Sequence, residues 1–400
     1  LKKKPKLLFL GGADIQVPAI EKAKGLGFHV VTCDYLPGNP GHRVSDEYHN
    51  VSTTDIPAVV SLAERLGVDA VTAYASDPAA LTAAHVVDHL GIPGNSVDSV
   101  RPFCDKVAFR ELQRKCGVPA PAFIEVGSTG ELGNFVERFP EAILKPVDSS
   151  GSKGISRLRP GDDLEAALER ARGVTRSGKV IVEEEFAPPS RICSGDVFVV
   201  DGEIAFSCFG DVHFGGPERL VPVSITIPHT AEEEALGATL GHLGEMFRAC
   251  DVREGAFNLD VLFRGGGGPG VIIDIGARNG GNHLNDIIHA YSGFDLIEAT
   301  MLQSVGEKVL VPETLRNDGF HAHYVVHSDR NGRFSGLKIP EFARSWVRFE
   351  SMNVGLGGEV RRFRSSADRL GLLLLEFPSK SGQDQFKEAL PAFAKVEVDE

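Results

Sequence analysis

Long apolar stretches are missing from this chain of 400 residues. Runs such as Leu7–Leu10 and Leu372–Leu375 fall far short of the roughly 18 residues that a membrane-spanning helix needs. Cysteine is scarce and scattered: the six, Cys33, Cys104, Cys116, Cys193, Cys208 and Cys250, show no CxxC spacing. That pattern excludes a disulfide framework and a thiolate zinc site, and it points to a reducing, cytoplasmic setting. Positive charge is in deficit, with Lys+Arg 42 against Asp+Glu 55 and a formal net charge of −13. The balance argues against a nucleic-acid surface, which needs a basic face, and against a polybasic membrane anchor. The basic start, Lys2 to Lys6, leads into an apolar stretch that stops at Gly11-Gly12. It reads as a first strand and not as a signal peptide.

What is present is a globular balance, with 42% hydrophobic and 24% charged residues, over a length that suits two to four domains. Glycine is in excess: 45 residues, where average usage gives about 28. The first hundred residues alternate strand and helix, with strands at Leu7–Leu10, Phe28–Cys33 and Ala70–Thr72 and helices at Pro18–Gly25, Ile56–Leu66 and Pro78–Leu90. That rhythm predicts an open parallel sheet covered by helices. Gly11-Gly12 lacks the GxGxxG spacing of a dinucleotide site, so a tight turn facing a substrate is expected there. An amphipathic helix follows over Lys106–Cys116, then short strands at Ile143–Lys145 and Val180–Glu183 and a mixed region to about residue 310. From His321 the chain reads as strands and hairpins, with a turn at Gly332.

Three segments carry chemistry. In Ile143 to Ile155 an apolar strand ends in Lys145, and a loop of small residues, Ser149, Ser150, Gly151, Ser152, Lys153 and Gly154, returns to an apolar strand. Such a loop turns backbone N–H groups toward an anion, and the lysines add charge-assisted bonds; an ordinary Gly/Ser hairpin with a solvated lysine would look the same. In Val180 to Pro189 a β-branched strand runs into Glu183, Glu184 and Glu185 and is stopped by two prolines. Unpaired backbone groups at such an end suit a purine edge, although a solvated acidic strand end fits as well. The third segment comprises Ala256–Phe263 and Val271–Gly276. Paired as a hairpin about Gly267, they set Asp260 opposite Asp274 and Asn258 opposite Gly276. Two facing carboxylates repel, and a divalent cation between them removes the cost; Mg²⁺ takes one or two carboxylates plus substrate phosphates. A different register would leave two separately solvated aspartates. Arg278 follows at once and could clamp a phosphate or carboxylate in its planar fork, with Asn282 as an oxygen ligand; a surface ion pair is the plainer role. His213, Arg219 and His283 are candidates for an acidic substrate. His321, His323 and His327 alternate on one strand, which suggests either a metal or, more plainly, a half-solvated strand face.

Taken in order, these segments resemble the ATP-grasp superfamily, the group of biotin carboxylase, D-alanine–D-alanine ligase, carbamoyl-phosphate synthase and the L-amino acid ligases. The early segment Cys33 to Pro40 also looks like that of family members. The resemblance implies an α/β and α+β protein. Its expected parts are an N-terminal open parallel α/β domain over 1–103, a small ATP-grasp lobe over 104–187, a large lobe with the metal site over 188–312, and a small C-terminal α+β domain over 313–400. It implies that Lys106 and Lys145 meet the nucleotide phosphates, that Ser149–Gly154 is the loop closing over them, and that Glu184, Glu185, Phe186 and Ala187 hold adenine. Asp260 and Asp274, with Asn282 or Asn258, would hold Mg²⁺, as two ions in the family pattern, or Mn²⁺ in its place. Arg278 would be the catalytic arginine. Both metal carboxylates are aspartate where the better-known members have glutamate, and Gly276 stands where an asparagine ligand is usual. The acidic ribose contact is missing at Ile192, which leaves Asp196 as a loose candidate.

The implied activity is an ATP-dependent ligase that turns a small carboxylate into an acyl phosphate and joins it to an amine, releasing ADP and phosphate. Small-molecule carboxylate and amine substrates are therefore the expected partners, without nucleic acid or membrane, and a homodimer is compatible with the resemblance. A bicarbonate-activating enzyme of the carboxylase or carbamoyl-phosphate type, and a nucleotide-binding protein without catalysis, stay open as alternatives.

Overall fold

The computed structural model describes residues 4–186, 190–215, 220–265, 267–390 and 393–399. Its first sheet is parallel, with the strands Glu47–His49, His29–Cys33, Lys6–Leu10 and Ala70–Thr72 in that order. Both faces of the Lys6–Leu10 strand are buried, as expected of a parallel sheet covered by helices. Leu8 and Leu10 pack with Val59, Leu62 and Val86 on one face, and Leu7 and Phe9 pack with Ile20 and Met301 on the other. The helices stop where the sequence says they should. Ile56–Leu66 and Asp77–Leu90 both end on glycines, Gly67 and Gly91, in the left-handed conformation, which a residue without Cβ adopts at little cost.

A second, antiparallel sheet has the order Phe123–Glu125, Val180–Glu184, Ala142–Pro146 and Ser156–Leu158. The helices Thr129–Arg138 and Leu164–Arg172 cover one side of it through Leu132, Phe135 and Leu168. The helix Lys106–Cys116 is capped by Asp105 and closed by Gly117. It packs instead on the large sheet, where Phe109 and Leu112 join Phe247 and Phe257.

The large sheet has eight strands: Val271–Gly276, Gly255–Arg264, Ser190–Val200, Glu203–Gly215, Val221–Ile227, Phe320–Val326, Gly371–Phe377 and Val347–Met352. Part of the C-terminal segment thus continues the large sheet. The rest, Glu359–Val360, Gly332–Lys338 and Lys395–Asp399, makes a separate three-stranded sheet, while the helix Lys380–Ala389 packs against the strands Phe320–Val326 and Gly371–Phe377 of the large sheet. Gly332 opens a strand and is not itself the turn. The expectation of a half-solvated histidine strand is also corrected: His321 and His323 are 7% and 2% exposed, because helix Leu284–Ser292 covers the sheet there. Among the described residues no group of three His, Cys, Asp or Glu is placed to hold a metal.

Candidate active site

Between the small and large sheets lies a cleft of about 1030 Å³. Lys145 enters it from the strand Ala142–Pro146, and its Nζ bonds Glu183 Oε2 at 2.8 Å. The two are diagonal neighbours on adjacent strands, since Lys145 pairs with Ile181 and Ile143 with Glu183, an offset that long side chains bridge. A second cation meets the same carboxylate: Arg110 Nε donates to Glu183 Oε1 at 2.8 Å. Arg110 also donates to Gln113 Oε1 at 2.7 Å and to the carbonyl of Ile273 at 2.5 Å. Burial alone pushes the Glu183 carboxyl up, but the Arg110 and Lys145 charges outweigh it and hold the group at about 2. Arg110 is fully buried and no local motif marks it. The available signal is the spacing Lys106, Arg110, Gln113, a polar stripe at helical period beside Phe109 and Leu112.

Lys106 ties the opposite wall together. Its Nζ donates to the Ser149 carbonyl at 3.1 Å and lies 3.5 Å from Asp274 Oδ1. The anticipated hairpin is present in the anticipated register, with Asp260 opposite Asp274 and Asn258 opposite Gly276. Asp260 is pushed up to about 6, first by its enclosure in the cleft wall and then by the negative Asp274. A carboxylate pair in this condition suits a divalent cation. Two carboxylates are also what Mg²⁺ typically takes from protein when phosphates supply the rest, so the donor set fits that ion.

The Gly/Ser loop is held at both ends. Asp148 accepts from Thr175 Oγ1 at 2.7 Å and from the Ser177 N–H at 2.8 Å. Further on, the Gly151 carbonyl accepts from the Ser366 N–H at 3.1 Å, and Ser152 Oγ donates to the Leu220 carbonyl at 3.0 Å. Ser149, Ser150, Lys153 and the neighbouring residues line the cleft. Gly151 and Gly154 have φ of 70° and 72°, which favours glycine at those turns.

At the acidic strand end Glu184, Glu185 and Phe186 also line the cleft, while Ala187 lies outside the described residues. The expectation of unpaired donors there is corrected at two positions, because the Glu184 N–H bonds the Ala122 carbonyl at 2.9 Å and the Glu185 N–H bonds the Glu141 carbonyl at 3.0 Å. The Arg264 guanidinium lies 3.6 Å from the centre of the Phe186 ring, a cation–π contact.

Other candidates fall differently. Asn282 lines the cleft, yet its Oδ1 accepts from Arg369 Nη1 at 3.0 Å, so its oxygen is already engaged. Asn258 donates to Asp196 Oδ1 at 2.8 Å. Asp196 is no ribose contact. It is fully buried and accepts from the Gly280 N–H at 2.8 Å and Asn285 Nδ2 at 2.5 Å, so it anchors the loop after Arg278. His213 lies on the cleft wall, bonded to Thr226 Oγ1 at 3.0 Å, and burial pushes it down to about 4. Arg219 lies outside the described residues. His283 is turned to Asp286 at 2.9 Å and packs on Phe349. Arg278 faces Asp77 from the parallel-sheet domain, with both of that residue's carboxylate oxygens at 2.7 Å. Asp77 is a neighbour that no local pattern announces.

These walls and sheets define the ATP-grasp fold. The L-amino acid ligase from Bacillus licheniformis superposes with a TM-score of 0.82 at 16% identity over 100% of both chains. By sequence, the chain is 23% identical over 350 residues to the uncharacterized protein y4rH of Sinorhizobium fredii, covering 84% of this chain and 71% of that one. It is 33% identical over 188 residues to the formate-dependent phosphoribosylglycinamide formyltransferase of Burkholderia mallei, 44% of this chain and 45% of the relative. That match therefore spans less than half of the relative's length. No family model matches the chain.

Proposed function

We propose that this protein is an ATP-dependent carboxylate–amine ligase. It converts a small-molecule carboxylate to an acyl phosphate and couples it to an amine, with release of ADP and phosphate. The observation that carries the proposal is the Asp260–Asp274 pair facing Lys106, Lys145 and the Gly/Ser loop across one cleft of an ATP-grasp fold. The names of the ligase and formyltransferase relatives support it.

In this proposal Lys106, Lys145 and the amides and hydroxyls of Ser149–Gly154 bind the nucleotide phosphates, with the strand end Glu184–Phe186 beside the base. Asp260 and Asp274 hold Mg²⁺. Bound Mg–ATP supplies the phosphoryl group together with the cation that offsets its charge. The chain's own part is positioning and charge stabilisation. The lysines face the phosphoryl oxygens, where charge develops; Arg278 orients the carboxylate; and the loop excludes water that would hydrolyse an acyl phosphate. No side-chain nucleophile is needed. Six free cysteines among the described residues suit a reducing, cytoplasmic setting. No described helix is long and apolar enough to cross a membrane.

The test is a coupled assay of ADP and phosphate release over pairs of amino acids and related acids, read out by product mass. Release that depends on both a carboxylate and an amine, with an amide product, is expected. Equal ATP turnover without either substrate would refute the proposal.

A further inference from the structure

Arg278 and Asp77 are 201 residues apart in the chain, yet they meet in a two-pronged ion pair. Arg278 Nε bonds Asp77 Oδ1 at 2.7 Å, and Nη2 bonds Oδ2 at 2.7 Å. Nη1 donates to the carbonyl of Asn279 at 3.1 Å. Of the five N–H donors of a guanidinium, these bonds use three and leave the others for a ligand. The pair is poorly exposed, at 15% for Arg278 and 32% for Asp77. Asp77 sits on a rigid support, as the first residue of the helix Asp77–Leu90, which packs on the parallel sheet.

A second observation points the same way. Residue 276 pairs with Asn258 at the metal hairpin, and it is glycine for a steric reason. A Cβ there would lie 2.2 Å from Asp77 Oδ1 and 3.2 Å from Arg278 Nε. The backbone beside the carboxylate pair thus gives up its side chain to make room for this ion pair.

We infer that Asp77 is a positioning residue for Arg278. It fixes the guanidinium plane at the reacting end of the cleft, so that the parallel-sheet domain sets the geometry in which the carboxylate substrate is held. The inference rests on the ligase proposal. Small displacements of an orienting group are costly, since about 1 Å of misplacement can lose about 100-fold in rate.

The experiment compares wild type with Asp77→Asn, Asp77→Ala, Arg278→Ala, Gly276→Ala and the doubles Asp77→Ala/Arg278→Ala and Gly276→Ala/Asp77→Ala. It measures kcat, KM for ATP, melting temperature, and the phenylglyoxal reactivity of residue 278 followed by peptide mass. Asp77→Asn and Asp77→Ala should lower kcat about 10- to 100-fold, leave KM for ATP within about twofold, and raise the reactivity of Arg278. Asp77→Ala should cost nothing further in the Arg278→Ala background. Gly276→Ala should lower kcat in wild type and be nearly silent once Asp77 is alanine, because the atom it collides with is gone. The Gly276→Ala single variant leaves both charged residues in place, so its loss of kcat is readable even if an Asp77 variant folds poorly, and wild-type kcat in it would count against the inference. Wild-type kcat in Asp77→Ala, or losses that multiply in the Asp77→Ala/Arg278→Ala double, would overturn the inference while the ligase proposal stands. A wild type that turns over no substrate pair rejects the ligase proposal, and this inference with it.

Discussion

Glu183 and Asp260 are carboxylates on two walls of one cleft, and their surroundings drive them in opposite directions. Glu183 is held at about 2 because Arg110 and Lys145 flank it. Asp260 is pushed up to about 6, by enclosure first and by Asp274 across the hairpin second. Enclosure raises both, and what faces each group decides the outcome. The Glu183 cluster is electrically complete within the protein and works as a fastener, joining the small sheet to the helix Lys106–Cys116 and to the carbonyl of Ile273. The Asp260 pair has only Lys106 close by, 3.5 Å from Asp274 Oδ1, and in the proposal a metal cation completes it. The contrast separates a group that holds the cleft together from a pair that, in the proposal, binds a ligand.

The comparison can be broken most forcefully at Glu183. Glu183→Ala leaves two cations uncompensated, one of them fully buried, and should cost about 3–5 kcal/mol of stability, measured by urea denaturation. The same fastener should weaken in acid. A carboxyl whose folded value is depressed contributes stability above its unfolded value, so this contribution is lost as pH falls from about 4.5 toward about 2.

Next come Lys145→Ala and Asp274→Ala. Each should reduce turnover at least about 100-fold while the protein stays folded, because Arg110 still faces Glu183 and Asp274 is half exposed. Near-normal kcat in either variant would remove that residue from the proposed site. Circular dichroism provides the check on folding.

A smaller effect with the opposite sign is expected at Asp260. A carboxyl raised from 3.8 to about 6 in the folded state holds its proton longer than the unfolded chain does, so stability is lost as pH rises through that window. Asp260→Asn should therefore be more stable than wild type above pH 6, by up to about 1 kcal/mol, and should lose the advantage near pH 4. Thermal melts at the two pH values measure this. The smallest effect belongs to Lys153, which is exposed on the loop. Lys153→Ala should raise KM for ATP only a few-fold, consistent with the modest worth of exposed charge pairs.

The sequence made local features legible and left distant meetings hidden. Helix Lys106–Cys116 could be delimited because its cap, its amphipathic spacing and its closing glycine are contiguous. The Asp260–Asp274 register could be read because two alternating strands flank a short glycine-rich linker. Arg110–Glu183 and Asp77–Arg278 could not be read, since each depends on sheets that assemble from far-apart segments. Asp196, a loose ribose candidate by its place after the acidic strand end, is hidden for a similar reason: the loop at Gly280 and the helix at Asn285 fold over it and take Oδ2, while Asn258 takes Oδ1. The eight-stranded sheet was hidden too, because its C-terminal strands give the same local pattern whether they close a separate domain or extend an existing sheet.

The most direct measurement is calorimetric binding of a Mg²⁺ complex of a non-hydrolysable ATP analogue between pH 5 and 7.5, in buffers of different ionisation enthalpy. If a cation completes the Asp260–Asp274 pair, binding to wild type releases up to about one proton near pH 5.5, the release fades above pH 7, and Asp260→Asn does not show it. Binding with the same proton count in wild type and Asp260→Asn at every pH would contradict the account.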